Sequence, residues 1–261
     1  MNLLVTGGAG YMGSHMANLL LARGFDVTVV DDLSAGRRAA VCGGNFIQGD
    51  MGDRRLLDRI FSSAPFDGVL HFAASIQFGE SESVPGKYYE NNVVKTLRML
   101  EAMHEHRVNN LVFSSSAAIY GEPAYLPINE VHPKAPVNAY GASKWMIETV
   151  LEHYYHAYGL ASISLRYVNA SGADPDCMPG IGTRAETQLL PLAVQAASRT
   201  RPQSIFSDTT IRRPMAPVSE TTCMSWICAR HICWRCKNCG MRPARLHTTS
   251  AMATAFRHRK S

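Results

Sequence analysis

The 261 residues are 46% hydrophobic and 18% charged, a globular composition with material for one sizeable core or two modest ones. No apolar run reaches bilayer length and a strand-like segment begins at residue 2, so neither a membrane partner nor a signal peptide is expected, and a cytoplasmic enzyme is. The net charge of +5 hides a division: residues 1–206 carry 16 Lys and Arg against 19 Asp and Glu, whereas 207–261 carry 10 against 2, with five of the seven cysteines.

The chain opens on a short apolar run, Asn2-Leu3-Leu4-Val5, suited to a buried strand. Thr6-Gly7-Gly8-Ala9-Gly10-Tyr11-Met12-Gly13 follows, and then a helix-spaced segment, Ser14 to Arg23, that Gly24 ends. Strand, glycine loop and helix form the context in which such a loop binds a dinucleotide. Backbone approaches the pyrophosphate closely, and the helix start offers N–H groups and the positive end of its dipole. The spacing is Gly-x-x-Gly-x-x-Gly through Gly7, Gly10 and Gly13, and by itself would fit a plain tight turn. Phe25 to Val30 reads as a second strand ending at Asp31, about twenty residues past the loop. A carboxylate there accepts both adenosine ribose hydroxyls and repels a 2′-phosphate, which favours NAD over NADP.

Asn45 to Asp50 reads as a short strand ending in an acid. Asp50 could accept from an adenine amino group with Met51 against the ring, or this segment could simply cap a helix at Asp53–Leu57. Gly68 to Ala74 predicts a fourth strand whose small carboxyl-end residues (Ala73-Ala74) let a cofactor lie on the sheet edge. Helical spacing spans Tyr88 to His106, with Asn92 near its start either facing the cofactor or exposed. Asn110 to Phe113 is the next strand, running into Ser114-Ser115-Ser116. Strands separated by helices without hairpin signals predict an α/β, doubly wound parallel sheet.

Tyr140-Gly141-Ala142-Ser143-Lys144 opens a helix and puts phenol and ammonium on one face, one turn apart. A lysine beside a tyrosine favours phenolate, which fits Tyr140 for general-base work near neutral pH. The structural alternative is a surface pair sharing a face. Ala161 to Tyr167 is a further strand, and Val168-Asn169 leaves the sheet at its carboxyl end, where Asn169 either meets a substrate or makes a turn. Glu186 to Pro191 leads into another apolar helix.

These residues resemble, in order, the pattern of the extended short-chain dehydrogenases/reductases, the NAD-dependent epimerase/dehydratase family. The resemblance is strongest to the branch that interconverts UDP-glucose and UDP-galactose. It is carried by Thr6–Gly13, His71–Ala74, Gly79-Glu80-Ser81, Asn91-Asn92-Val93, Ser114–Gly121, Tyr140–Lys144 and Arg166–Asn169, and covers residues 1–206. The dehydrating members place an Asp-Glu pair where this chain has Ala118 and Ile119, so loss of water is disfavoured.

The resemblance implies a Rossmann-type NAD-binding domain over 1–175 and the start of a substrate lobe over 176–206. It implies that Tyr140 takes the proton of the sugar 4-hydroxyl while hydride leaves C4 for NAD, and that the 4-keto sugar turns over and is reduced on its other face. Lys144 would lower the Tyr140 pKa and hold the nicotinamide ribose, and Ser116 would bond the 4-oxygen. The cofactor set it implies is Gly7, Gly10, Tyr11, Met12, Gly13, Asp31, Asp32, Leu33, Asp50, Met51, Phe72, Ala73, Ala74, Asn92, Ser114, Tyr140, Lys144 and Val168. The UDP-sugar set is Ser116, Tyr140, Asn169, Gln188 and Leu189. Family pairing through helices beside the Tyr140 helix would allow a homodimer. One departure is Ile76, where many members place a lysine on the cofactor.

From about Ser207 the motifs stop. Cys233-x-x-Cys236-x-x-Cys239 among basic residues suggests a zinc site gripping nucleic acid, but the second pair of a zinc ribbon is missing, so neither metal nor nucleic acid is expected. A shifted reading frame explains this stretch better. Read one base earlier, Met215-Ala216 forces Gly, Trp226-Ile227 forces Asp, Cys233-Trp234 forces Leu and Met252-Ala253 forces Gly, each where the family has it. Residues 207–261 are therefore expected to be an out-of-frame, disordered tail, leaving the substrate lobe incomplete, turnover impaired and an apolar face open to aggregation. The competing readings are a non-catalytic NAD-binding protein with a basic, cysteine-rich interaction tail, and an epimerase for another UDP-sugar.

Overall fold

The computed structural model describes residues 1–167 together with 170–171 and 223–224. Six strands, β1 (Asn2–Thr6), β2 (Asp26–Asp31), β3 (Asn45–Gln48), β4 (Gly68–His71), β5 (Asn110–Ser114) and β6 (Ala161–Leu165), form one parallel sheet in the order β3-β2-β1-β4-β5-β6. The order turns back on itself between β1 and β4, which opens a crevice beyond their carboxyl ends, the ligand position of open α/β sheets. A separate parallel pair joins β7 (Ala170–Ser171) to β8 (Cys223–Met224).

Side chains of the central strands alternate between two cores. Leu3, Val5, Val27 and Val29 pack with Met16, Ala17 and Leu20 of α1 (Tyr11–Ala22) on one face. Leu4, Val30, Val69, Leu111 and Phe113 pack on the other against α2 (Arg54–Ser63), α5 (Lys95–Glu105) and α6 (Ala139–Tyr158). Burial on both faces is why β1 and β4 read as continuous apolar runs rather than alternating ones.

The helix signals are local. Asp53, not Asp50, caps α2 by accepting from the N–H groups of Arg55 and Leu56. Asn138 caps α6 through Gly141, and Gly159, in the left-handed region, ends it. The single helix expected over Tyr88–His106 is divided. α4 (Pro85–Tyr88) runs into a π-turn, Tyr89–Val94, before α5 begins at Lys95. A short α3 (Phe78–Ser83) precedes it, where the sequence carries no clear helical period.

Candidate functional site

The glycine loop lies across the carboxyl end of the sheet, and two of its glycines are required by close approach. Gly7 has φ +71, and a Cβ there would stand 2.5 Å from the Ala73 nitrogen. A Cβ on Gly13 would fall 2.1 Å from the Gly7 carbonyl oxygen. Gly10 stands at the N-cap of α1 with no side-chain cap, and the first turn has no acidic residue, an arrangement suited to an anion. Tyr11 and Met12 line this turn half-exposed, with the Tyr11 ring edge-on to His15 at 5.2 Å.

Asp31 closes β2 beside the loop. Its carboxylate accepts the N–H groups of Ala9 at 2.9 Å and Leu33 at 2.8 Å, and Leu33 adopts a left-handed φ of 61 in doing so. Burial raises the Asp31 pKa, opposed by the amides of Leu33, Ala9 and Gly10 and supported by the charge of Asp32. Asp32 itself accepts from the amide and hydroxyl of Ser34. At the next strand end, Asp50 accepts from the Gly52 amide at 2.8 Å and from the Lys95 ammonium at 2.6 Å, while Met51 is buried. Burial pushes the Asp50 carboxyl up, but those two bonds and the charges of Lys95 and Arg98 outweigh it and leave it lowered.

Past β4, Phe72, Ala73 and Ala74 are half-buried against the loop, and the Phe72 amide donates to Thr6. Beneath them His71 is buried between two hydroxyls, Thr6 at 2.6 Å on Nδ1 and Thr96 at 3.0 Å on Nε2. Thr96 donates to the Asn92 carbonyl, so its oxygen is left to accept from His71 Nε2–H, and Nδ1 accepts from Thr6. Burial, with the Lys144 charge, lowers the His71 pKa to about 3, which keeps the ring neutral.

Asn92, expected either at the cofactor or exposed, is buried in the π-turn. Its oxygen accepts from the Ser75 and Asn91 nitrogens, and its Nδ2 donates to the Ser75 carbonyl and the Ser143 hydroxyl. Those four bonds use the whole amide, so its side chain pins the loop after β4 to α6. Only a long-range contact reveals this; the Asn-Asn pair in the sequence does not.

Ser116, Tyr140 and Lys144 come together at the carboxyl ends of β5 and β6, all three nearly buried. Ser116 Oγ accepts from the Ala118 amide at 3.1 Å, and its hydroxyl lies near enough to the Tyr140 phenol to favour the phenolate. The Lys144 ammonium donates to the Ser114 carbonyl at 2.8 Å and lies 4.9 Å from the Phe113 ring centroid and 5.9 Å from that of Tyr140. Ser114 Oγ bonds the Tyr167 hydroxyl, and the Phe78 ring meets Tyr140 edge-on at 5.2 Å.

The electrostatics differ from the expectation that Lys144 lowers the Tyr140 pKa. In the protein alone burial raises Tyr140, with the Ser116 hydroxyl pulling the other way. Burial also lowers Lys144 to about 7, against the opposing charge of Glu148. Desolvation is the largest cause for each group, and neither is among the causes of the other's shift. Val168, Asn169, Gln188 and Leu189 lie outside the described residues, as do the 176–206 lobe segment and the cysteine-rich stretch beyond the two residues of β8.

Behind these groups is a buried ion pair that the motifs do not announce. Arg166 Nε donates to both Glu148 oxygens, at 3.0 and 3.1 Å, and its Nη1 to the Tyr120 hydroxyl at 2.8 Å. Ser115 Oγ donates to the same carboxylate. The one sequence signal was spacing: Glu148 lies one turn beyond Lys144 on the buried face of α6.

A parallel sheet of this order, with a glycine loop, an acid-ended β2 and a Tyr-x-x-x-Lys helix converging at its switch point, defines a dinucleotide-binding α/β protein. The chain belongs to the NAD dependent epimerase/dehydratase family, whose sequence profile matches residues 3–232. The match runs past Phe206, beyond the last family motif read in the sequence. The chain is 47% identical over 210 residues to the UDP-glucose 4-epimerase of Corynebacterium glutamicum, covering 80% of itself and 63% of that protein. It is 46% identical over 209 residues to that of Halalkalibacterium halodurans, with the same coverage. Among solved structures, the Brucella ovis UDP-glucose 4-epimerase in complex with NAD superimposes with a TM-score of 0.75 at 45% identity, over 77% of this chain and 62% of that one. This chain thus spans just under two thirds of the length of these relatives. Among the described residues no helix is long and apolar enough to cross a membrane.

Proposed function

We propose that the chain binds NAD and performs the C4 oxidation–reduction by which UDP-glucose and UDP-galactose interconvert. The observation that carries this reading is the convergence of the Ser116 hydroxyl, Tyr140 phenol and Lys144 ammonium beside a loop that fits a dinucleotide. The residues fit the cofactor. Gly7 and Gly13 leave room where a Cβ would clash, the uncapped start of α1 would receive phosphate oxygens, and Asp31 would accept from the ribose hydroxyls. Asp32, Leu33, Asp50, Met51, Phe72–Ala74 and Ser114 are assigned to the same cofactor site, and so is Val168.

When bound, NAD supplies the hydride acceptor and returns the hydride. The protein's own part is proton transfer and orientation. Tyr140 takes the proton of the sugar 4-hydroxyl, and Ser116 bonds the 4-oxygen in line with it. Lys144 lies one turn further along α6 with its ammonium on the Ser114 carbonyl, and it would hold the nicotinamide ribose. Asn169, Gln188 and Leu189 are assigned to the UDP-sugar, and pairing of two copies beside α6 belongs to the same reading.

For these 261 residues taken alone we propose slight turnover, with residues 207–261 read out of frame. The test is to purify the chain and a frame-restored form. NAD released by heating either protein, with brisk conversion of UDP-galactose to UDP-glucose only by the restored form, is the expected result. Absence of NAD from both would overturn the cofactor reading, and full conversion by the 261 residues would overturn the impairment. Resequencing between the codons of Gln203 and Thr210 decides the frame directly.

A further inference from the structure

Glu148 and Arg166 are buried, ionisable and unused by the chemistry proposed above. Glu148 is 4% exposed and Arg166 6%. An ion pair in such a place is a poor stabilising device, since removing two charges from water costs about what their attraction returns, and well-packed apolar side chains do as well. What distinguishes this pair is where its bonds go.

Glu148 holds the Ser115 hydroxyl, next in sequence to Ser116. Arg166 holds the hydroxyl of Tyr120, at the end of the 3₁₀ turn Ala117–Tyr120 that Ser116 caps, and reaches the Glu130 carbonyl. Glu148 also lies one turn from Lys144, which donates to Ser114. The pair therefore ties the ends of β5 and β6, the Ser116 turn and α6 to one point. Tyr140 projects from the first turn of that same helix.

We propose that Glu148 and Arg166 are positioning residues, whose buried pair fixes the end of β5 against α6 and so sets how Ser116 and Lys144 meet Tyr140. The proposal rests on Tyr140, Lys144 and Ser116 being the reacting groups. Its readout needs neither NAD nor turnover and so can fail separately from the epimerase reading. Tyr140 is faced by Lys144 on its own helix and by Tyr88 of α4, which is bonded to Glu80 of α3; Lys144 is faced by His71 of β4 and by Glu148.

The experiment is ¹⁹F NMR of the full chain carrying 3-fluorotyrosine, with the position-140 signal assigned by its loss in Tyr140→Phe. Fluorine acidifies the phenol and brings its ionisation into a range the fold tolerates. Glu148→Gln is expected to move the Tyr140 midpoint upward by about one pH unit, because the Ser116 hydroxyl, which favours the phenolate, no longer meets the phenol. Glu148→Met combined with Arg166→Met removes both charges at similar volume, so the fold is kept while the midpoint moves the same way. Ser115→Ala leaves both charges in place and cuts a single bond to the carboxylate; a smaller upward shift is expected. If Glu148→Gln does not fold, the other two variants carry the test. A midpoint unchanged in the double variant and in Ser115→Ala, whatever happens to the unfolding temperature, reduces the pair to a structural role and overturns the proposal.

Discussion

The carboxylate of Asp31 accepts the backbone N–H of Ala9 at 2.9 Å, tying the end of β2 to the glycine loop that follows β1. A single side chain thus shapes the glycine loop and, in the function proposed, sets the charge beside the ribose. Both roles are removed together in Asp31→Ala. We expect NAD affinity to fall and the preference for NAD over NADP to narrow by about a hundredfold, close to 3 kcal/mol of lost discrimination. Fluorescence titration with each nucleotide measures it, and an unchanged preference would contradict the assignment of Asp31.

Gly7 tolerates no side chain. Gly7→Ala combines a φ of +71 with a methyl group 2.5 Å from backbone. Thermal unfolding should show a loss of about 2 kcal/mol or more, and the loop should no longer take NAD. A variant that melts like the parent and still retains NAD would show that the loop moves more freely than its contacts imply.

Lys144 is held at about 7 against an ordinary 10.5, so between those values the unfolded chain binds the extra proton. Stability therefore rises with pH across that window and is lost as pH falls through about 7. Lys144→Met removes the burden. It should be more stable than the parent near neutral pH by a few kcal/mol, about 1.4 for each pKa unit of the shift, and the gap should close near pH 10.5. Denaturant curves at several pH values give the difference, and a gap independent of pH would disprove it.

His71 supplies the acid counterpart. Its pKa of about 3 lies below the ordinary 6.5, so the stability it contributes is complete above 6.5 and is lost as pH falls toward 3. His71→Leu lowers stability overall by removing the bonds to Thr6 and Thr96. It should also flatten the acid limb by about 1.4 kcal/mol per pH unit, one proton's worth. Parallel acid limbs for parent and variant would mean that His71 is already protonated in the fold.

Local chemistry was legible in the sequence. The glycine loop, Asp31 and the Tyr140–Lys144 turn each declare themselves within a few residues, because spacing along one strand end or one helix face is enough. Asp50 was legible as an acid at a strand end, but its partner Lys95 lies far along the chain and could not be read. The same limit hid the Asn92 clamp and the Glu148–Arg166 pair, which exist only once α6 is laid against β5 and β6. The pKa ordering also escaped, since proximity of Lys144 to Tyr140 is a matter of sequence and their shared burial is not.

The π-turn at Tyr89–Val94 carries a consequence for how this helix tolerates change. A π-turn holds one residue more than the α-helical turn it replaces. Deleting a residue from it would restore an unbroken helix and rotate α4 against α5 by about 100°. Met99 and Met103, on α5, would keep their places in the core, while Asn92 would swing away from Ser75 and Ser143. The extra residue therefore acts as a phase offset, letting one continuous rod serve two different faces, and a length change of a single codon there would uncouple them.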